Sequence, residues 1–241
     1  MTALLEVAGI SKRFGGVTAV RDVSFSVAAG EIVGLMGANG AGKTTLFNLI
    51  SGSFSPDSGR VLLDGREIQG QAPHRICRQG IGRTYQIVRP FPNLTVRENV
   101  AVGLIFGAGR HRRADLRQRE EEILEETGLQ SLAGQRAAEL TLAGRKRLEL
   151  ARALATSPRL LMLDEVMAGL TPAESGRALA MLQSIHARRG LAILVVEHNL
   201  RAMMQLCSRV VVLHHGEKIG QGTPEAITRD PAVIAAYLGA A

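Results

Sequence analysis

Apolar residues along the chain fall into short blocks separated by polar turns, and the blocks differ in period. Residues 4–7, 18–27 and 31–36 are rich in Val, Ile and Leu and predict two or three short β segments. Residues 45–50 read as the start of a helix after a glycine-rich turn, and residues 60–68 as a hairpin turning at Asp64-Gly65. Residues 81–86 predict another strand that stops at the polar Gln86, and the two prolines in 87–93 exclude a helix interior there. Thr95-Val96-Arg97-Glu98 spells a capping box, so a helix is expected to about Phe106. The charged run 110–126 carries Arg110, Arg112, Arg113, Arg117 and Arg119 ahead of Glu120 to Glu126; it reads as a solvated helical face, with docking on lipid headgroups as the other option. Residues 140–147 begin as a small-residue turn, become basic, and lead into an amphipathic helix over 148–154. Residues 160–163 are apolar and end in Asp164-Glu165, which predicts a buried strand with two carboxylates at its exit. Thr171-Pro172-Ala173-Glu174 is a second capping box, with a helix expected to about Arg189. Residues 191–196 predict a buried strand ending in Glu197-His198, and 209–213 a last core strand before a turn at His214-His215-Gly216-Glu217. Asp230-Pro231 caps a terminal helix through Leu238.

Strands that alternate with helices in this way predict an α/β fold, divided by a helical insertion over residues 87–152. A chain of 241 residues with 46% hydrophobic content can bury a core in one or two domains. No apolar run approaches the length of a membrane span, and the N-terminal residues lack the basic and apolar regions of a signal peptide. Cys77 and Cys207 fit no metal spacing, which suits a cytosolic chain with idle thiols. The net charge of +7 admits nucleic acid or an anionic membrane as a neighbour, but 3% aromatic content without tryptophan argues against base stacking, so no nucleic-acid partner is expected.

The strongest chemical signal is Gly37-Ala38-Asn39-Gly40-Ala41-Gly42-Lys43-Thr44-Thr45, which fits G-x-x-x-x-G-K-[ST] between a strand and a helix. Backbone N–H groups surround a polyphosphate only where no Cβ intrudes, and the helix N-terminus adds a positive dipole end. Lys43 is placed to reach the β- and γ-phosphates, and Thr44 to put its hydroxyl on Mg²⁺. Carboxylates at the carboxyl end of a strand, as at Asp164 and Glu165, can hold Mg²⁺ and polarise a water. His198 ends a strand of the same kind and suits a phosphate contact. Phe14, followed by two glycines, could stack on a purine base or serve as an ordinary packing residue.

Taken in order, these markers resemble the ATP-binding subunit of an ABC transporter, and the resemblance covers nearly the whole chain. It implies a P-loop NTPase, an ABC-type nucleotide-binding domain with an antiparallel β subdomain and a helical subdomain insertion. Residues 1–241 would form one ATPase domain: 1–86 and 153–241 the α/β core with its β subdomain, 87–152 the helical part. It implies ATP and Mg²⁺ as ligands. Phe14 then stacks on adenine; Gly37, Asn39, Gly40, Ala41, Gly42, Lys43, Thr44 and Thr45 bind phosphates; Thr44, Gln86 and Asp164 bear on the metal. Glu165, His198 and Gln86 become the catalytic set, and Thr141 and Ala143 fall in the signature segment that faces nucleotide across a dimer.

Residues 80–86, Val88-Arg89-Pro90-Phe91, Arg147-Leu148-Glu149-Leu150-Ala151-Arg152 and the ending 230–239 resemble one branch, the ATPases of branched-chain or hydrophobic amino-acid uptake. That branch implies two membrane permease subunits, a second ATPase (a sister or a copy of this chain), an extracytoplasmic solute-binding protein, and a place on the cytoplasmic face of the inner membrane. Lipid or lipopolysaccharide export and urea or amide uptake share the nucleotide motifs, as do soluble ABC ATPases. A small-molecule P-loop kinase would leave Gln86, Asp164-Glu165 and His198 unexplained. The signature departs from the usual Leu-Ser-Gly-Gly-Gln: it reads Leu140-Thr141-Leu142-Ala143-Gly144, and Thr171 stands where Asp is usual. A sister subunit with standard motifs would then leave two unequal composite sites.

Overall fold

The computed structural model describes residues 3–86, 90–109, 115–197 and 200–238. In chain order, β1 (Ala3–Phe14), β2 (Val17–Ala28), β3 (Ile32–Met36), α1 (Lys43–Ile50), β4 (Ser58–Leu63), β5 (Arg66–Glu67) and α2 (Pro73–Arg78) lead to β6 (Ile81–Arg83). Then come α3 (Val96–Phe106), α4 (Leu116–Glu126), α5 (Leu142–Ala155), β7 (Leu160–Asp164) and α6 (Pro172–Arg189). The chain closes with β8 (Ala192–Val196), α7 (Leu200–Leu206), β9 (Arg209–His214), β10 (Glu217–Gly222), α8 (Pro224–Ile227) and α9 (Pro231–Leu238). It forms two compact units, Met1–Ile76 with Ala192–Ala241, and Cys77–Leu191.

In the first unit an antiparallel sheet runs β2-β1-β4-β5, with Val7 opposite Phe25 on one side and Leu5 opposite Leu63 on the other. A second set runs β10-β9-β3-β8, in which β3 lies parallel to both β8 and β9. All five residues of β3 and all five of β8 are buried, which explains their unbroken apolar spelling: a parallel strand covered on both faces has no polar side to alternate with. The hairpin at Asp64-Gly65 forms as expected. His215 and Gly216, both in the left-handed region, turn β9 into β10 with His214 opposite Glu217.

In the second unit β6 and β7 pair in parallel, and α3, α4, α5 and α6 supply most of its remaining mass. The capping boxes form at both expected places. Thr95 accepts from Glu98 N and Thr171 from Glu174 N, with the glutamates returning the bond. Asn99 is fully buried; its Oδ1 accepts from Phe91 N at 2.9 Å and its Nδ2 donates to the carbonyls of Phe91, Leu94 and Thr95.

Four expectations need correction. The first strand runs on to Phe14, because Ile10, Lys12 and Arg13 keep their β2 partners across bulges that break the apolar alternation. The strand expected over 81–86 ends at Arg83. Thr84 N still donates to Met162 O, but Tyr85 N donates to the Glu149 carboxylate, so the ladder stops. The helix expected from 148 begins at Leu142, where Thr141 caps it by accepting from Gly144 N. The segment after Glu217 is a strand, β10, whose polar and glycine-rich sequence carries no β signal.

Candidate active site

The first part of the site is the loop between β3 and α1, within the first unit. Its shape depends on missing side chains. A Cβ at Gly37 would stand 2.4 Å from Leu213 O, and one at Gly42, held at φ +100°, would stand 2.4 Å from Ala19 O. Inside the loop Ala41 N donates to Ala38 O at 3.1 Å, and Ala41 O receives Gly216 N at 3.1 Å. The first helical bond is Leu46 N to Gly42 O, so the N–H groups of residues 43–45 lie in the first turn of α1, ahead of its own bonding ladder. That turn contains no acidic residue to compete with an anion.

Lys43 is 6% exposed, and its ammonium folds over the loop to donate to Gly37 O at 2.7 Å and Ala38 O at 2.9 Å. Ala38, Asn39, Gly40 and Thr44 are exposed, Thr45 is half-buried, and Ala41 is buried. The cradle that a Cβ would fill, the enclosed cation and the helix N-terminus together fit a polyphosphate. Phe14 lies at the end of β1 with its ring half in solvent, edge-on to Phe54 at 5.3 Å, with Lys12 Nζ 5.6 Å from its centre.

The second part lies within the second unit, where Gln86, Asp164 and Glu165 come together. Asp164 closes β7 and is 3% exposed; its N–H donates to Thr84 Oγ1 at 3.1 Å, and Arg83 Nη2 stands 3.4 Å from its Oδ2. The Arg83 guanidinium also lies 4.8 Å from the Tyr85 ring centre. Glu165 follows in a left-handed conformation, φ +51°, that a residue with a Cβ adopts only when its surroundings impose it. Gln86 Nε2 donates to Glu165 Oε2 at 2.9 Å, which leaves the Gln86 amide oxygen as an acceptor for a cation. Lys146 Nζ donates to the Glu165 carbonyl at 2.8 Å.

Behind Tyr85, Glu149 is buried on α5 and its Oε1 accepts from Tyr85 N at 2.7 Å. Burial pushes the Glu149 carboxyl above the usual carboxylate range, against the pull of that N–H and of the Arg152 and Lys146 charges. Arg152 in turn lies over the Phe91 ring at 4.8 Å. Thr141 and Ala143 stand at the start of α5, the first exposed and the second half-buried. His198, like Ile87, Val88 and Arg89 of the expected loop, lies outside the described residues. Sequence reasoning did not single out Lys146, Glu149 or Asn99. Lys146 resembles any solvated charge in a basic run, and Glu149 any polar position of an amphipathic helix.

Similarity to known proteins follows the same residues. The ABC transporter family profile matches residues 20–168, from β2 through the carboxylates and beyond. The chain belongs to the ABC transporter family. A second profile, that of the branched-chain amino acid ATP-binding cassette transporter, matches residues 217–241. The cassette is 39% identical to the high-affinity branched-chain amino acid transport ATP-binding protein BraF of Pseudomonas aeruginosa, over 99% of this chain and 98% of that protein. It is 38% identical to the corresponding protein LivG of Escherichia coli K12, over the same shares of the two chains. Among solved structures, a nucleotide-free ATP-binding cassette from an ABC transporter superposes with a TM-score of 0.89 at 29% identity, covering 99% of this chain and 100% of that one. A dimeric bacterial ABC transporter cassette superposes with a TM-score of 0.82 at 25% identity, covering 91% and 98%. The fold is thus the ABC-type P-loop NTPase fold, and the cassette is an ATPase. Among the described residues no helix is long and apolar enough to cross a membrane, and no group of three His, Cys, Asp or Glu side chains is placed to hold a metal.

Proposed function

We propose that the cassette is the ATP-hydrolysing subunit of a membrane importer for branched-chain or other hydrophobic amino acids. The observation that carries this reading is the pair of family matches, one over the nucleotide motifs and one over the C-terminal segment of the branched-chain subfamily. It works with two permease subunits, a second ATPase that closes over the nucleotide, and an extracytoplasmic solute-binding protein. Its place is the cytoplasmic face of the inner membrane.

In this reading Phe14 stacks on the adenine, and the loop from Gly37 to Thr45 holds the phosphates. Lys43, which now donates to two loop carbonyls, exchanges them for phosphate oxygens. Thr44, the Gln86 amide oxygen and Asp164 are oxygen donors of the kind that would hold Mg²⁺, which would neutralise charge on the phosphates. Glu165 polarises a water whose oxygen bonds to the γ-phosphorus while the bond to the β–γ bridging oxygen breaks. The water's proton passes to the Glu165 carboxylate and ADP leaves with the bonding electron pair. His198 contacts the γ-phosphate, and Thr141 and Ala143 face the nucleotide of the second ATPase. Phosphoryl transfer of this kind needs mainly positioning and charge stabilisation, which residues held by hydrogen bonds supply.

Glu165→Gln in the purified, assembled transporter is expected to keep ATP binding and lose turnover by about a hundredfold or more. Undiminished ATPase activity would overturn the assignment of Glu165. The substrate class is tested separately, by ligand screening of the solute-binding protein encoded beside the chain. Binding of leucine, isoleucine or valine is expected, whereas binding of urea or a lipid alone moves the cassette to another branch.

A further inference from the structure

The Gln86–Glu165 pair is held from both ends by one helix. Lys146 and Glu149 are three residues apart on α5, so they project from one face of it. Lys146 Nζ donates to the Glu165 carbonyl at 2.8 Å, and Glu149 Oε1 accepts from Tyr85 N, next to Gln86, at 2.7 Å. With the 2.9 Å bond from Gln86 Nε2 to Glu165 Oε2, this closes a ring: α5 to Tyr85-Gln86, to the Glu165 carboxylate, through the Glu165 backbone, and back to α5.

The Glu165 backbone is the strained member, at φ +51°. A charge-assisted bond to its carbonyl fixes the peptide plane, and the amide of Gln86 fixes the carboxylate. Thr84 and Arg83 hold Asp164, the residue before it, by separate contacts, so the ring bears on Glu165.

We propose that Lys146 and Glu149 are positioning residues for ATP hydrolysis, which grip both sides of the Gln86–Glu165 pair and set where the Glu165 carboxylate stands. This rests on the reading of Glu165 as the water-polarising group. Both act on Glu165 O and Tyr85 N, outside the phosphate loop, so their removal is expected to act on turnover and spare ATP binding.

The test is steady-state ATPase activity and binding of a fluorescent ATP analogue in the assembled transporter. Lys146→Met is expected to lower kcat by about ten- to a hundredfold, the scale of a misplacement near 1 Å. Its ATP affinity should stay within about twofold of the parent. Lys146→Arg, which still donates to a carbonyl, should recover most of the loss. Glu149→Leu should behave as Lys146→Met does, and Glu149→Gln, which keeps an acceptor for Tyr85 N–H, should stay near the parent. Because Gln86 and Lys146 act through the same residue, Lys146→Met combined with Gln86→Ala should lose little more than the worse single change.

Parental kcat in Lys146→Met, a loss carried entirely by weaker ATP binding, or additive losses in the double variant would each overturn the proposal. Should Lys146→Met fail to assemble, the comparison of Lys146→Arg with the shorter Lys146→Gln carries the same test, and equal turnover in those two overturns it. Glu165→Gln run in parallel separates the two readings. Turnover retained there overturns the role of Glu165 itself, whereas turnover lost there but parental in Lys146→Met overturns only the positioning role.

Discussion

Gly42 shows how much one missing side chain decides. Its φ of +100° is costly for any L-residue, and a Cβ there meets a backbone carbonyl, Ala19 O, at 2.4 Å. A backbone atom cannot rotate away as a side chain can, so the loop itself must move. Gly42→Ala is therefore expected to weaken binding of a fluorescent ATP analogue by at least about tenfold, or 1.4 kcal/mol, and an unchanged affinity would contradict a phosphate cradle at Gly42. The glycine was legible in the sequence as part of a nine-residue pattern. The contacts among the other residues of the site were not. Gln86 was visible as a polar residue at a strand end, but its bond to Glu165 spans 79 positions. The two thiols were read as idle, and burial agrees for Cys207: it pushes the thiol up to about 12, with the Glu197 charge adding to the shift, so the sulfur stays protonated.

Among the elements, those whose burial is uniform were the easiest to read. β3, β7 and β8 are buried along their whole length and spell continuous apolar runs. The capped helices α3 and α6 were equally plain, because a capping box lies within four residues of sequence. β10 and the later half of β1 were not, since their residues are held by partners and not by their own pattern. Inside the first unit the foot of β9 is fixed to that of β3 by a pair of the same long-range kind. Arg209 Nε and Nη2 bind the two carboxylate oxygens of Glu31 at 2.8 and 2.9 Å, and Nη2 also donates to Ser26 O.

Burial raises the Glu31 pKa, but the Arg209 hydrogen bond, the Ala28 N–H and the Arg209 charge outweigh it, and the carboxyl ends below its ordinary value. A lowered pKa means that the folded state holds the proton less tightly than the unfolded one. The pair's contribution is then present in full above the ordinary glutamate range, near about 4.3, and drains as pH falls through the folded value. Glu31→Gln should lower the urea midpoint at pH 7, with a gap from the parent that narrows on acidification. A gap that stays constant with pH would show that the ionised pair contributes nothing.

For the whole molecule the question is what this chain offers to a second ATPase. Its signature segment carries Leu142, 48% exposed, and Ala143 where the family usually has two glycines. The Leu142 side chain stands over Gly169, where a Cβ would come within 3.1 Å of it. The Thr141 oxygen accepts from Gly144 N, so what remains for a phosphate is its O–H proton. Such a segment is expected to close less well over a nucleotide than one with two glycines, whereas the loop from Gly37 to Thr45 keeps the full motif. In a transporter that pairs this chain with a sister of standard signature, Glu165→Gln here should remove most ATPase activity and the matching change in the sister much less. Equal losses would mean that the two sites are equivalent in spite of the signature.

What the sequence determined by itself was local in physical origin: the phosphate loop, the capped helices, the buried parallel strands and the carboxylates at the end of one of them. Each depends on steric and hydrogen-bonding rules that act within about ten residues. Tertiary structure alone decided which distant polar groups meet. Glu149 stops β6 by taking Tyr85 N–H, Lys146 reaches the backbone of Glu165, and Arg209 finds Glu31 178 positions away. A buried donor or acceptor has to find a partner somewhere, but nothing in its own neighbourhood of sequence says where; packing brings the candidates together and the cost of leaving one unmet selects among them.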